Sequence, residues 1–392
     1  MNALQGIKVL DLTRVLAGPY CSMMLADFGA DIIKIEPPGV GDDSRAFGPF
    51  IGKESAYFMS LNRNKRSITL NFKRAKEVDL FREMVKQADV VLENYRPGTM
   101  EKFGIGYAEL KKINPKIVYA SCSGFGHSGP YMLKPAYDII VQAMGGIMSI
   151  TGPENGEPTR VGASVGDIVA GIFTAYGVML ALFHRERTGE GQEVDVGMLD
   201  CQLAILENAI ARYTTSGIAP VPLGNRHPSI TPFASFTAKD GHIIVGAGND
   251  RLWEKLCNIL DRPELVKDAR FENNGKRTAN VKALTDILND IFSKKTIAEW
   301  LELLEQAGLP CAPINTVDKI VNDPHIKARG MMVEQEHPVA GHLKMAGIPV
   351  KMSGTPGAVK TPAPLLGQHT EEILKEFFGW DKAKTEAFFK AD

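Results

Sequence analysis

Short apolar runs at residues 8–12, 31–35, 67–71, 89–92 and 117–120 alternate with segments of helical spacing after Pro19, over 73–87 and after Tyr107. Each run has the length and composition of a buried strand. Strand and helix in alternation leave few ways to bury both, and the one with short connections is a parallel sheet with helices on its faces. The expected fold class is therefore α/β. Further helices are expected over 138–148, 167–187 and 198–214, with a strand at 193–196 ahead of the last. Between 217 and 232 the texture turns to Gly, Pro and polar residues, the chemistry of a linker. Beyond it, 234–237, a turn at Lys239-Asp240-Gly241 and 242–246 predict a hairpin that opens a smaller α+β domain, filled by helices near 251–260, 281–291 and 297–307. Residues 332–353 read as extended strands, and a helical tail starts at Thr370. The expected organisation is a large domain over 1–216, a linker over 217–232, a small α+β domain over 233–322, and over 323–392 a return linker with the last part of the large domain.

Charge and cysteine usage narrow the function classes. With 45 basic against 46 acidic residues, the net charge of −1 offers no electrostatic case for nucleic acid or a membrane surface as the main partner. No uncharged apolar run reaches the length of a membrane span, and the start of the chain enters a strand pattern directly, so a cytoplasmic protein is expected. Cys21, Cys122, Cys201, Cys257 and Cys311 are far apart and form no Cys-x-x-Cys or Cys/His spacing, so neither a metal centre nor a redox pair is expected.

Chemistry is concentrated in the segment 162–187, where Asp167, at an expected helix start, is the only acid ahead of the closing His184-Arg185-Glu186-Arg187 and stands among small and apolar residues. Ser164 followed by Asp167 resembles a capping box, in which the acid reaches back to a free N–H. The same helix-terminal N–H groups and dipole would equally favour a carboxylate that attacks a carbonyl, and the oxyanion that follows. Gly162, Ala163, Gly166, Ala170 and Gly171 leave room for a bulky thioester, and local sequence leaves both readings open. Gly124-Phe125-Gly126-His127-Ser128-Gly129 matches a dinucleotide fingerprint in letters only, because Pro130 and Pro135 prevent the helix that should follow. Nor is there a P-loop, so activation by ATP is not indicated.

The run Val9-Leu10-Asp11-Leu12-Thr13-Arg14-Val15-Leu16-Ala17-Gly18-Pro19, then Gly29-Ala30-Asp31-Ile32-Ile33-Lys34-Ile35-Glu36-Pro37-Pro38, Asn64-Lys65-Arg66-Ser67 and Glu93-Asn94-Tyr95-Arg96-Pro97-Gly98 is similar to class III CoA-transferases. The likeness continues in order through Tyr137-Asp138, Gly166-Asp167, Arg187-Thr188-Gly189-Glu190-Gly191-Gln192 and Pro364-Leu365-Leu366-Gly367-Gln368-His369-Thr370. The resemblance implies a Rossmann-like large domain, a small domain joined by linkers, and an interlocked homodimer. It implies Asp167 as the nucleophile that turns an acyl-CoA thioester into a mixed anhydride and then an aspartyl-CoA thioester, with a carboxylic acid as acceptor. Coenzyme A enters as a thioester substrate, with no tightly bound cofactor and no metal. Alignment with formyl-CoA transferases puts Leu16, Ala17, Leu70, Asn71, Phe72, Lys73, Asn94, Tyr95, Arg96, Lys102 and Tyr137 at CoA-contacting positions. Lys73 and Lys102 also suit a plain solvated surface, and Asp138 suits either a catalytic role or a helix cap.

Departures from that pattern bear on substrate. Leu16 replaces a glutamine, and the Gly-rich loop that shields the intermediate has no evident counterpart before Phe233. Residues 44–50, 123–130 and Gly224-Asn225-Arg226-His227-Pro228 look closer to relatives that use oxalate, succinate or glutarate-like acids. Arg226 and His227 would then bind the acid's far carboxylate, or else form a linker turn. The α-methylacyl-CoA racemases resemble this family but carry a histidine where Tyr137 stands, and a phenol with a pKa of about 10 is a poor base at neutral pH. A non-catalytic acyl-CoA-binding protein is the remaining alternative, one that would form no adduct at Asp167.

Overall fold

The computed structural model describes residues 2–390. The chain forms two compact units. One takes the chain up to Ile147, then Arg160–Gly217, and resumes at Pro324; the other comprises Met148–Thr159 and Ile218–Asp323. Residues 148–159, expected in the large domain, thus go with the second unit. Gly224 N donates to the Gly152 carbonyl and Arg226 pairs with Glu154 there.

Six parallel strands carry the first unit: β1 (Lys8–Asp11), β2 (Asp31–Glu36), β3 (Lys65–Thr69), β4 (Val90–Glu93), β5 (Val118–Ser123) and β6 (Glu193–Gly197). Their order is β3-β2-β1-β4-β5-β6, the doubly wound arrangement, with the switch point between β1 and β4. Alternate residues feed two cores, which is why the strands read as continuous apolar runs. Leu10, Ile33 and Val91 face α2 (Ala75–Val85), α3 (Tyr107–Ile113) and the late helix Thr370–Phe378, whereas Val9, Ile32 and Val90 face α1 (Ala17–Asp27) and the long α5 (Val165–Thr188). Around them lie α4 (Asp138–Met144), α6 (Met198–Ile205) and α7 (Glu207–Ser216).

Several boundaries differ from expectation. The helix expected over 138–148 ends at Met144, because Gly145 and the left-handed Gly146 (φ 87°) stop it, and a 3-10 turn follows at Ile147–Ile150. The helix expected over 198–214 breaks at Leu206, whose side chain lies over Gly146. Only Met332–His337 and Gly341–Ala346 of the segment 332–353 pair as strands, and Pro349 lies just beyond.

In the second unit the expected hairpin, Phe233–Ala238 with Gly241–Gly246, is joined by the short strand Cys311–Pro313. Trp253, Phe271, Leu288, Phe292 and Trp300 form its core.

Helix α5 is, among the described residues, the one helix long and apolar enough to match a membrane span by length and composition. Its inner side packs into the first unit instead, with Ala175, Val178, Ala181 and Leu182 buried against the sheet and α1. Close approach to α1 depends on Gly171, where a Cβ would stand 2.6 Å from the Ala17 carbonyl oxygen and 3.1 Å from Tyr20 Cβ. Gly171→Ala gains about 1 kcal/mol of helix propensity, but overpacking costs about 1–3 kcal/mol. A lowered midpoint in urea unfolding is expected, and a raised one would show that α1 and α5 do not cross this closely.

Candidate active site

The two loops that leave the switch point, 13–16 after β1 and 94–97 after β4, are tied together. Asn94 Oδ1 accepts from Arg14 N at 2.9 Å and Asn94 Nδ2 donates to the Arg14 carbonyl at 2.8 Å. Beneath them, Lys34 Nζ donates to the Thr13 carbonyl at 2.8 Å and bridges Asp42 at 2.8 Å, and Asp42 Oδ1 accepts from Val15 N at 3.0 Å. These bonds hold Val15 at φ 67°, a left-handed conformation costly for a β-branched residue. The consequence is a fixed wall, with Leu16 and Ala17 presented at the start of α1.

Opposite that wall stands Asp167, in the first turn of α5. It shares a cavity of about 150 Å³ with Leu16, Ala17, Asn94, Tyr95, Arg96 and Tyr137. A neighbouring cavity of about 290 Å³, which also touches Arg14, Asp43 and Tyr95, is lined by Leu70, Asn71, Phe72 and Lys73. The sequence-derived CoA positions therefore meet along one groove, with two qualifications. Leu70 is buried in the core as well as lining the groove, and Lys102, exposed at the end of the short helix Thr99–Lys102, lines neither cavity. Arg226 and His227 belong to the second unit. There Arg226 Nη2 donates to Glu154 at 2.8 Å and borders a cavity of about 450 Å³, while His227 Nδ1 accepts from Ser229 N at 3.2 Å and its ring meets Phe233 edge-on.

The capping box is not formed. Ser164 makes no capping bond, and it is Asp138 Oδ1 that accepts from Gly166 N, at 2.9 Å. Asp138 Oδ2 accepts from Gln142 Nε2 at 2.8 Å and from Arg160 Nη2 at 2.8 Å. Asp138 thus caps neither its own helix nor an empty space; it joins α4, α5 and Arg160, with both oxygens occupied. Gly166 is needed at the junction, since a Cβ there would stand 2.7 Å from Val141 Cγ2 and 3.0 Å from Asp138 Oδ1.

Among the described residues no hydrogen bond to the Asp167 carboxylate is formed. Burial, helped by the negative charge of Asp138 and opposed by Arg160, pushes Asp167 up to about 7. A carboxylate of that basicity is a stronger nucleophile than an ordinary one and is still ionised in mildly alkaline solution. Tyr57, driven to about 12 by burial and by the charges of Asp167, Asp42 and Asp138, remains a neutral phenol. Sequence reasoning passed over Arg14, Lys134 and Arg160. The first two line the Asp167 cavity as cations, and the third sits in a Gly- and Pro-rich loop with no periodicity to mark it.

A half-buried, ionisable carboxylate in the crevice at the switch point of a doubly wound sheet is the arrangement of an α/β enzyme. Residues 4–370 match CoA-transferase family III. The chain is 41% identical over 382 residues to succinyl-CoA:glutarate CoA-transferase of Homo sapiens, which covers 97% of this chain and 87% of that one. It is 46% identical over 374 residues to acetyl-CoA:oxalate CoA-transferase of Acetobacter aceti, covering 95% of each. A crystal structure of a CaiB/BaiF family protein from Brucella suis superposes with a TM-score of 0.85 at 39% identity, over 96% of this chain and 100% of that one. The chain belongs to CoA-transferase family III and is a CoA-transferase.

The elevated Asp167 has a thermodynamic consequence. The folded carboxyl keeps its proton up to about 7, whereas its ordinary value is 3.8. Across that interval the folded state binds more protons than the unfolded one, so this group's contribution to stability declines as pH rises through it. Asp167→Asn, which carries no charge, should melt at a higher temperature than the wild type at pH 8 and at a similar one at pH 4. Scanning calorimetry at both pH values checks this, and an equal gain at both would contradict the environment described.

Proposed function

We propose that the enzyme moves CoA from an acyl-CoA thioester to a small dicarboxylic acid through a covalent intermediate on Asp167. The observation that carries this reading is the Asp167 carboxylate, raised to about 7, without a hydrogen bond among the described residues and set in a cavity rimmed by Arg14, Arg96 and Lys134. An Asp167 oxygen attacks the thioester carbon, the C–S bond breaks and CoA leaves as thiolate. The thiolate then attacks the Asp167 carboxyl carbon of the mixed anhydride and expels the donor acid as its carboxylate. The acceptor carboxylate repeats the exchange in reverse, forming its own anhydride with Asp167 and releasing thiolate, which takes the new acyl group and returns Asp167 to its ionised form. Protons balance throughout, and each hard displacement is divided into two easier ones.

The N–H groups and dipole at the start of α5 favour the charge that develops there. Asp138 acts in this scheme as a positioning residue, since its two oxygens are already bonded to the α5 terminus, Gln142 and Arg160. A dicarboxylic acceptor is supported by the succinate, glutarate and oxalate in the names of similar enzymes.

A homodimer forms part of the same proposal. Helix α5 leaves Ile172, Phe173, Tyr176, Met179, Leu180 and Phe183 exposed, an apolar face suited to a second copy of the chain.

Asp167→Ala should fold and lose CoA exchange, whereas the wild type incubated with a donor thioester should carry a CoA adduct on the Asp167 peptide that hydroxylamine converts to a hydroxamate. Retained turnover in the variant would remove the mechanism. Light scattering should give twice the 42.8 kDa mass of the chain, and a monomeric mass would remove the dimer.

A further inference from the structure

Below the turn 94–97 lies a group of buried polar side chains that the transfer scheme does not use. Glu93, the last residue of β4, is 1% exposed, and its Oε2 accepts from Tyr95 N at 2.7 Å. Its other oxygen, Oε1, stands 3.6 Å from His127 Nε2. Strand register aligns Glu93 with Ser121 on β5 and Ser121 with Asp195 on β6, so the three share one level of the sheet edge. Asp195 Oδ2 accepts from His127 N at 2.9 Å, which fixes the loop that brings the imidazole to Glu93. Tyr119 Oη, Ser121 Oγ, Ser123 Oγ and His127 Nε2 are all buried and lack a bonding partner of good geometry.

That is an expensive arrangement to maintain for structure alone, since unpaired buried polar groups cost stability. The turn above it explains the position. Asn94 grips Arg14, Tyr95 lines both cavities of the groove and takes the Arg14 guanidinium over its ring at 5.3 Å, and Arg96 and Pro97 line the Asp167 cavity. Glu93 is the anchor that reaches this turn from below.

We propose that Glu93, with the His127 imidazole beside it, is a positioning residue that sets the turn 94–97 for CoA, and that the turn's hold on CoA strengthens when Glu93 is ionised. The inference rests on the reading of that turn as a CoA-binding element. A carboxylate accepts a stronger hydrogen bond from Tyr95 N–H than a neutral acid does. The groups that face Glu93 set the pH at which this happens. They are Tyr95 from the turn, Tyr119 and Ser121 from β5, His127 from the following loop, Asp195 from β6 and Glu101 from the helix Thr99–Lys102. Burial, with the charges of Glu101 and Asp195, outweighs the bond from Tyr95 N and the pull of the nearby Ser121 hydroxyl and pushes Glu93 up to about 7.

The test is calorimetric titration of the enzyme with free CoA at pH 6 and pH 8, in the wild type, Glu93→Gln and His127→Gln. Free CoA probes the turn without the covalent chemistry of Asp167, and comparison between variants removes the titration of CoA itself. Relative to Glu93→Gln, the wild type should gain roughly five-fold in affinity between pH 6 and pH 8, the difference between a neutral and a charge-assisted bond. In His127→Gln, which keeps the Glu93 carboxylate and its bond from Tyr95 N, the gain should be smaller than in the wild type, with binding at pH 6 close to the wild-type value. The same ratio of affinities in all three proteins overturns the proposal. If the wild type binds no CoA at either pH, the CoA reading of the turn has failed and this inference falls with it. A gain that is absent in Glu93→Gln and reduced in His127→Gln, while each variant keeps wild-type circular dichroism, supports it.

Discussion

Lys34, wholly buried, joins the Thr13 carbonyl to the Asp42 carboxylate, and the pocket wall is built on that bridge. One strand over, Lys65 is buried against Asp11, Ser22 and Asn62, and Asp11 in turn receives the N–H of Thr13. Such buried charges are weak evidence for stability, because desolvation offsets much of their attraction. Burial acts to raise both acids, but the lysine charges together with the hydrogen bonds that each acid accepts outweigh it, so Asp11 and Asp42 stay below the usual carboxylate range. Burial also pulls Lys65 down to about 8 despite Asp11. What the network contributes is placement. It holds Val15 in a conformation that the residue would leave in a free loop, and so fixes the start of α1 opposite Asp167.

The two sides of the cavity are organised by different physics. On the α1 side, ionised groups fully paired in the interior make a rigid wall. On the α5 side, Asp167 is buried beside another acid and has no hydrogen bond among the described residues, so its charged form is disfavoured and its basicity rises. Asp138 accomplishes two things with one carboxylate. It satisfies the free helix-terminal N–H of Gly166, and it places a negative charge near Asp167 that Arg160 only partly offsets. The close fit of α4 against α5 at Gly166, where a side chain would strike Val141, keeps those charges at short range.

Much of the fold was legible because its signals are local. Apolar runs with alternating core assignments mark the strands, and 3.6-residue spacing marks the helices. Places where the reading slipped have nonlocal or special-backbone causes. Glycines 145 and 146 end α4 early, Leu206 breaks a helix that its composition would continue, and residues 148–159 are claimed by the other unit through bonds to residues more than sixty positions away. In the site, Asp167 stood out as an acid among small residues at a helix start, and the groove-lining set followed from resemblance. Arg160 and Lys134 lie in irregular loops, so no pattern pointed to them. For Asp138 the sequence left open a catalytic role or a cap of its own helix, and the N–H it serves is on the next one.

By itself the sequence determined the alternation of strand and helix, the faces that must be buried, and the presence of a carboxylate at the start of a long apolar helix. Those properties depend on residues within a turn or two of one another. Tertiary structure alone decided that Asp167 is basic, that Asp138 is a strut between helices, and that Glu93 lies under the turn 94–97 beside His127. Proton affinity follows from desolvation and from the distance to every nearby charge, and both are set only when segments remote in the chain are packed together.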